Sequence, residues 1–392
     1  QPEQCFPLRV AYCEHCHLVQ LLDRVPPEEL FTEYLYFSSY SDTVLRHAAQ
    51  MARQLIQRFG LGPSHRVVEV ASNDGYLLQY FQRAGIPVLG VEPAKNIAAY
   101  ALQRGIPTLN AFFGPPLVPQ LLAEFGAADL LIGNNVLAHV PEINGFLSAV
   151  RDCLKPDGWA VFEFPYVVDL VEHCEFDTIY HEHVFYYSLS AVERLARRAG
   201  LTLADVSHQS LHGGSLRIFL SRAPGVQPTE AVSYMLEREQ RLGVTSAGYY
   251  QRFAAAVERV RSQLRSLLME LKAKGHRLAA YGAPAKGNTL LNVCQIDNRT
   301  IEFTVDRNPF KQGKLLPGSR IPVLAPEALL ESMPDFVLIL PWNIAQEIIE
   351  QQKEYLRRGG QFILPIPTPR IIRGPGQSTA AVRTGVGESE DA

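Results

Sequence analysis

The stretch that most constrains this chain is Arg66–Pro93, RVVEVASNDGYLLQYFQRAGIPVLGVEP. Val67, Val68 and Val70 suit a parallel strand buried on both faces. Ser72-Asn73-Asp74-Gly75 is turn chemistry, with Gly75 expected to let the backbone come close to a ligand. Tyr76–Ala84 then predicts a helix whose first amides face the turn, and Pro87–Val91 a second apolar strand that ends on Glu92. Such a unit belongs to an open α/β sheet, where ligands bind at the carboxyl ends of the strands. An acid closing the second strand suits a ribose diol, so an adenosine-type ligand is implied. Read as an ordinary crossover, the stretch would leave Glu92 a solvated strand-end acid.

The turn lacks G-x-G-x-x-G, which weakens a dinucleotide reading. Glu69-Val70-Ala71-Ser72-Asn73-Asp74-Gly75 instead resembles motif I of class I S-adenosylmethionine methyltransferases, D/E-x-G-x-G-x-G, with Ala71 and Asn73 in place of the first two glycines. Asparagine tolerates φ > 0 better than most residues, so Asn73 is a mild departure. The cofactor-binding set expected here is Glu69, Ala71, Ser72, Asn73, Gly75, Glu92 and Pro93. Further on, Lys95–Arg104 reads as a helix and Pro107–Asn110 as a strand, with Asn110 and the following amides facing the adenine edge. Leu130–Gly133 is a fourth strand, and Asn134 beyond it would face the methionine part. His139, just past it, would reach the reaction centre. Ile143–Leu154 predicts a helix and Trp159–Phe164 a fifth strand.

The 392 residues imply two or three domains, and a net charge of −3 without a basic block disfavours a nucleic-acid partner. No apolar run is long enough to span a bilayer and no signal peptide is visible, so no membrane partner is expected. The chain opens on Gln1, as a fragment or processed form would. Six cysteines are no disulfide framework in a chain this long. Cys153, Cys174 and Cys294 read as small buried hydrophobes, and the setting as reducing cytoplasm.

Near the start, Cys13-Glu14-His15-Cys16 forms a C-x-x-C knuckle between two short apolar segments, as in a zinc ribbon. Tetrahedral zinc needs four ligands, and Cys13 and Cys16 are one pair. Cys5 with His15 or His17, or a pair upstream of Gln1, would supply the other. A redox C-x-x-C is disfavoured because no thioredoxin-like βαβ unit surrounds it. Residues 26–47 crowd aromatics and hydroxyls together. They read either as an aromatic plug or as a lid whose Tyr34, Tyr36 and Tyr40 hydroxyls meet a polar ligand. Ser41 or Asp42 would cap a helix running to Gly60.

After the fifth strand comes an insertion, Pro165–Tyr187, centred on Tyr180-His181-Glu182-His183 amid aromatic residues. Adjacent ligands sit poorly on one ion, and the H-E-x-x-H spacing is absent. General acid–base work fits better, with an imidazole poised near neutral pH and a carboxylate orienting it. Ser188 and Ser190 would cap a helix to Ala199. Thr202–Ser207 and Ser215–Ser221 then form an antiparallel pair.

Beyond a Pro-containing linker and the helical Thr229–Lys274, a second α/β unit starts at Leu278–Tyr281. The loop Gly282–Thr289 misses a P-loop because Asn288 stands where lysine is required. Its glycines, a helix N-terminus and Lys286 nonetheless suit a diphosphate. Ile301–Val305 ends at Asp306, and the basic loop that follows carries Arg307 and Lys311. Phe336–Leu340 and Gln361–Leu364 complete this sheet, and the tail from Arg373 reads as disordered.

Taken in order, the knuckle, YLYFSSYSD, EVASNDGYL, NNVLAHVPE, YHEHVFYYSL, GAPAKGNTLLN and VDRNPFKQGKLLPG resemble the sugar C-methyltransferases of deoxysugar biosynthesis, of the D-tetronitrose C-3-methyltransferase type. The resemblance implies an α/β fold: a class I methyltransferase sheet, a second Rossmann-like domain and a small zinc-ribbon-like segment. The expected limits are a zinc-binding and tyrosine-rich segment at 1–41, the methyltransferase domain at 42–222, a helical linker with the C-terminal domain at 223–372, and a tail at 373–392. It also implies S-adenosylmethionine, a structural zinc ion and a nucleotide-linked 4-keto sugar, dTDP foremost, in a monomer or weak homodimer. His183 would be the base, with Tyr180, Glu182 and His139 around the sugar. Tyr34, Tyr36, Tyr40, Lys286, Asn288, Arg307 and Lys311 would bind substrate. The family's zinc uses two cysteine pairs, and the upstream one is absent here. An O-methyltransferase, a non-catalytic nucleotide-sugar binder and a zinc-ribbon RNA methyltransferase are the competing readings, the last opposed by the acidic balance.

Overall fold

The structure, a computed structural model, describes residues 3, 5–32, 37–209 and 213–374. It divides into two compact units, Gln1–Glu258 and Arg259–Ala392. The chain passes from one to the other within the helix Ala247–Ala273.

In the first unit the strands are β1 (Val10–Tyr12), β2 (Val19–Leu21), β3 (Val67–Val70), β4 (Val88–Val91), β5 (Thr108–Leu109), β6 (Ala128–Asn134), β7 (Leu154–Pro165), β8 (Phe185–Tyr186), β9 (Thr202–Gln209) and β10 (Ser215–Ser221). Seven of them form one sheet in the order β5-β4-β3-β6-β7-β10-β9. The first five run parallel, while β10 is antiparallel to both β7 and β9. The order reverses between β3 and β6, which is where an open α/β sheet offers its binding crevice.

Strand alternation sends neighbouring valines to opposite faces. Val67, Leu130 and Ile132 pack under the helix Asp42–Phe59, whereas Val68, Val70 and Leu131 join the core on the other side. That helix begins where Ser41 accepts the Val44 amide and ends at Gly60, φ 58°, in the left-handed conformation that favours glycine. Ser188 caps Leu189–Arg198 in the same way through the Ala191 amide.

Two features depart from the sequence expectation. The insertion contributes β8, which pairs with β2 of the N-terminal hairpin to make a three-stranded sheet, β1-β2-β8. And the helix Glu230–Leu242, expected to belong with a linker and the C-terminal domain, packs into the first unit. Its buried Glu239 accepts hydrogen bonds from the Tyr166 hydroxyl and the Leu189 and Ser190 amides, and Val232 lies in the core. By contacts the first compact unit runs to Glu258.

The second unit holds β11 (Leu278–Tyr281), β12 (Thr304–Val305), β13 (Val323–Leu324), β14 (Phe336–Ile339), β15 (Gln361–Leu364) and β16 (Arg370–Ile372), in the order β13-β12-β11-β14-β15-β16. All pairs are parallel except the last. Residues 375–392 of the expected tail lie outside the described residues. Among the described residues no helix is long and apolar enough to cross a membrane.

Candidate active site

A cavity of about 590 Å³ opens at the carboxyl ends of β3, β4 and β6, at the strand-order reversal. The turn after β3 supplies Ala71, Asn73 and Tyr76; the end of β4 supplies Glu92 and Pro93; the loop after β6 supplies Asn134, Asn135 and His139. Ala71 (φ 53°) and Asn73 (φ 48°), which replace glycines of the motif, both adopt the left-handed conformation that glycine would fill. The turn thus keeps the motif's backbone with side chains in place.

Glu92, buried, is held at both oxygens. Oε2 accepts the Asn73 amide at 3.0 Å and Oε1 the Ala94 amide at 2.9 Å. Burial raises its pKa, and the two amides oppose that rise. Asn134 donates through Nδ2 to the Tyr76 hydroxyl at 3.2 Å, while among the described residues its buried Oδ1 has no partner. An acceptor without a donor, set in a cavity wall, is fitted to a ligand's ammonium or hydroxyl.

Several expected contacts are corrected. Gly75 does not line the cavity. A Cβ there would meet Ile106 at 2.7 Å, so the glycine serves packing against a side chain rather than ligand approach. Ser72 sits beneath Gly90, whose own Cβ would meet the Ser72 hydroxyl at 2.4 Å. Asn110 spends its Nδ2 on the Glu92 and Pro93 carbonyls, at 2.8 and 2.9 Å, and so braces the end of β4. Phe112 and Phe113, beyond it, form the cavity wall there. Glu69 lies wholly under the floor with neither oxygen bonded among the described residues, and burial, then Asp74 and Glu92, push its pKa well up. A neutral carboxyl is the form this setting allows.

His139, which lines the cavity, and His183, which does not, come together. His139 and His183 have ring centroids 4.9 Å apart, and the Tyr180 ring lies tilted at 38°, 4.4 Å from that of His183. His139 Nδ1 lies 2.7 Å from the Glu182 carbonyl and His183 Nδ1 lies 2.8 Å from the Thr178 carbonyl. A carbonyl only accepts, so each Nδ1 carries the proton and each Nε2 presents a lone pair. Among the described residues neither Nε2 has a hydrogen-bond partner. Burial lowers both pKa values, and His183 helps to take His139 down to about 3. The orienting groups are therefore backbone carbonyls rather than the expected carboxylate, and both imidazoles are neutral below the ordinary histidine range.

The insertion reaches this position through its backbone. Val184 donates to the Ala138 carbonyl at 2.7 Å and accepts from the Leu21 amide at 2.9 Å. The Tyr187 hydroxyl donates to the Leu137 carbonyl at 3.0 Å. Phe31 meets His139 edge-on at 5.4 Å. Tyr40 is 74% exposed and stacks on Phe37, away from the cavity, because its short helical turn points it to solvent. Tyr34 and Tyr36 lie outside the described residues.

In the second unit, Asp306 at the end of β12 accepts the Ala283 amide at 2.7 Å and the Asn308 amide at 2.8 Å. This repeats Glu92, which takes one amide from the neighbouring strand's turn and one from two residues ahead. Lys311 donates to the Ala283 carbonyl at 2.8 Å. The Ala283 amide, expected to face a diphosphate, is thus already taken. Lys286 lies over the Trp342 ring at 5.0 Å, Asn288 has an unpartnered buried Oδ1, and Arg307 is exposed.

At the knuckle, the Cys16 amide and thiol and the His15 amide draw the Cys13 thiol below its ordinary pKa, as a metal-binding turn does. Cys5 is exposed, with its sulfur toward the Glu3 carbonyl. Among the described residues no group of three His, Cys, Asp or Glu side chains is arranged to hold a metal ion. Two thiols are half of a tetrahedral zinc set.

Three family models match the chain: "Putative zinc binding domain" over residues 1–31, "Methyltransferase domain" over 44–206 and "C-methyltransferase C-terminal domain" over 210–367. The C-methyltransferase NovU of Streptomyces niveus is 40% identical over 373 residues, covering 94% of this chain and 88% of that protein. The ubiquinone biosynthesis O-methyltransferase of Chromobacterium violaceum is 26% identical over 162 residues, 36% of this chain and 66% of its own. Among solved structures, the PH0226 protein of Pyrococcus horikoshii matches 47% of this chain and 94% of its own at 16% identity and a TM-score of 0.39.

Proposed function

The chain belongs to the C-methyltransferase family, with the sheet of class I S-adenosylmethionine-dependent methyltransferases, and from that premise we propose that it methylates C3 of a nucleotide-linked 4-keto-deoxysugar through an enolate. The observation that carries this reading is the pair of neutral imidazoles, His139 in the cavity wall and His183 against it, whose Nε2 atoms have no hydrogen-bond partner among the described residues. Carbon accepts a methyl group only as a carbanion equivalent, and a neighbouring ketone makes its C–H acidic enough for a neutral base.

S-adenosylmethionine, when bound, supplies the electrophilic methyl group. Glu92 would hold its ribose and the Asn134 Oδ1 its ammonium, with Phe112 and Phe113 beside the adenine. The cavity volume of about 590 Å³ lies within the ~300–1,000 Å³ usual for small-molecule sites. His183 Nε2 takes the C3 proton. His139 cannot donate through Nε2 in this tautomer, so it accepts a substrate hydroxyl or a relayed proton. Donation to the developing C4 oxyanion then falls to Tyr180. Within the second unit, Asp306 is built as Glu92 is, and that likeness supports a hydroxyl ligand there.

The test is product analysis with methyl-¹³C donor and a dTDP-4-keto-6-deoxyhexose. Carbon–carbon coupling between the new methyl and C3 is expected. A methyl ether instead would replace this reading with oxygen methylation.

A further inference from the structure

His181 is the member of Tyr180-His181-Glu182-His183 that the proposed chemistry leaves without a task. It turns toward the N-terminal arm rather than toward His139. Its Nε2 lies 2.9 Å from the Pro7 carbonyl, and its ring lies 5.7 Å from Phe6 at 54°. Because a carbonyl only accepts, Nε2 must carry a proton and donate. We propose that His181 is a positioning residue, a staple that fastens the base-bearing segment to the N-terminal arm and so fixes His183 against His139. This rests on the reading of His183 as the base.

Two further bonds run in the same direction. β8 pairs with β2 directly after His183, and the Leu21 amide donates to the Val184 carbonyl. The Val184 amide in turn donates to Ala138, the residue before His139. One residue, Val184, therefore joins the N-terminal hairpin to the turn that carries the second imidazole. Before that residue, on the His183 side, the backbone runs in turns rather than in a strand, and the His183 amide bonds locally to the Tyr180 carbonyl. The His181 bond to Pro7 and the His181 ring contact with Phe6 tie these turns to the arm. A base displaced by about 1 Å from its proton loses on the order of a hundredfold in rate, so a remote fastening is felt in the chemical step.

The full chain is compared with H181A, H181Q, F6A and H183A. The readouts are kcat and KM, deuterium uptake at C3 of the 4-keto sugar, S-adenosylhomocysteine affinity by calorimetry, and the thermal midpoint. A glutamine places its side-chain N–H near the position of the histidine Nε2, so H181Q is expected to recover most of the activity. H181A is expected to lose tenfold or more in kcat and in C3 exchange, with KM and ligand affinity within twofold. F6A, which strips the ring contact and leaves the hydrogen bond, is expected to lose less. Wild-type kcat in H181A, equal loss in H181A and H181Q, a loss in F6A as large as in H181A, or a parallel fall in affinity and midpoint would each overturn the staple. Exchange that survives in H183A would remove the base assignment instead, whatever H181A does.

Discussion

Replacing Glu92 by glutamine perturbs the cofactor cavity at its most closely held group. The carboxylate is 5% exposed and accepts one backbone amide on each oxygen, from Asn73 at 3.0 Å and Ala94 at 2.9 Å. In glutamine one of those oxygens becomes an NH₂ that faces an N–H. A buried donor left without an acceptor costs about 1–3 kcal/mol, which the loss of a buried charge partly offsets. On the ligand side, a ribose hydroxyl loses a bond to a charged acceptor, worth roughly 1.5–3 kcal/mol. That converts to a roughly 10- to 150-fold weaker Kd. Calorimetric titration with S-adenosylmethionine, alongside urea unfolding, separates the two terms. Because burial raises the Glu92 pKa, wild-type affinity should also fall as pH drops through that raised value, and E92Q should not show this fall. An E92Q protein that binds within twofold of wild type would refute the ribose assignment.

Other outcomes follow from the same geometry. Glu69 has a folded pKa well above its ordinary value, so the folded state holds the proton more tightly and stability falls as pH rises from the ordinary glutamate range. E69Q should flatten that slope in thermal denaturation at pH 5–8, and an unchanged slope would contradict a neutral carboxyl. The imidazoles of His139 and His183 are lowered, so the catalytic form persists below pH 6.5 and the acid limb of kcat/KM should lie beneath that value. An acid limb at or above 6.5 would place the base in another setting. Truncating Glu239 to alanine unpairs the Tyr166 hydroxyl and two helix-end amides, and should cost about 2–4 kcal/mol in urea unfolding. A loss under 1 kcal/mol would mean that water replaces those bonds.

What the sequence disclosed follows from what is local. The strands Val67–Val70 and Val88–Val91, the Glu92 terminus and the Ser188 cap depend on side-chain period and on one or two neighbouring residues, and they lie where the spacing predicts. The left-handed Asn73 was legible for the same reason. Phe31, Phe112, Phe113 and Tyr76 carry no such mark, since each becomes a cavity wall only when distant segments fold over the sheet. β8 is two residues long and has no period to read; only β2, over 160 residues earlier, makes it a strand. Gly75 illustrates the converse, because the turn requirement was legible but the neighbour that fills the space, Ile106, was not. Glu239 lay in the segment Thr229–Lys274, read as helical from the sequence, and its role depends on three donors brought from elsewhere in the first unit.

The central claim is that a neutral His183 removes a carbon-bound proton before methyl transfer. The direct measurement is deuterium uptake at C3 of a nucleotide 4-keto-6-deoxyhexose in heavy water, with S-adenosylhomocysteine in place of the donor. The account predicts uptake well above the uncatalysed background, lost in H183A and lost when the 4-keto group is reduced. No uptake by the wild-type chain, together with a methyl ether in the product of the complete reaction, would contradict it.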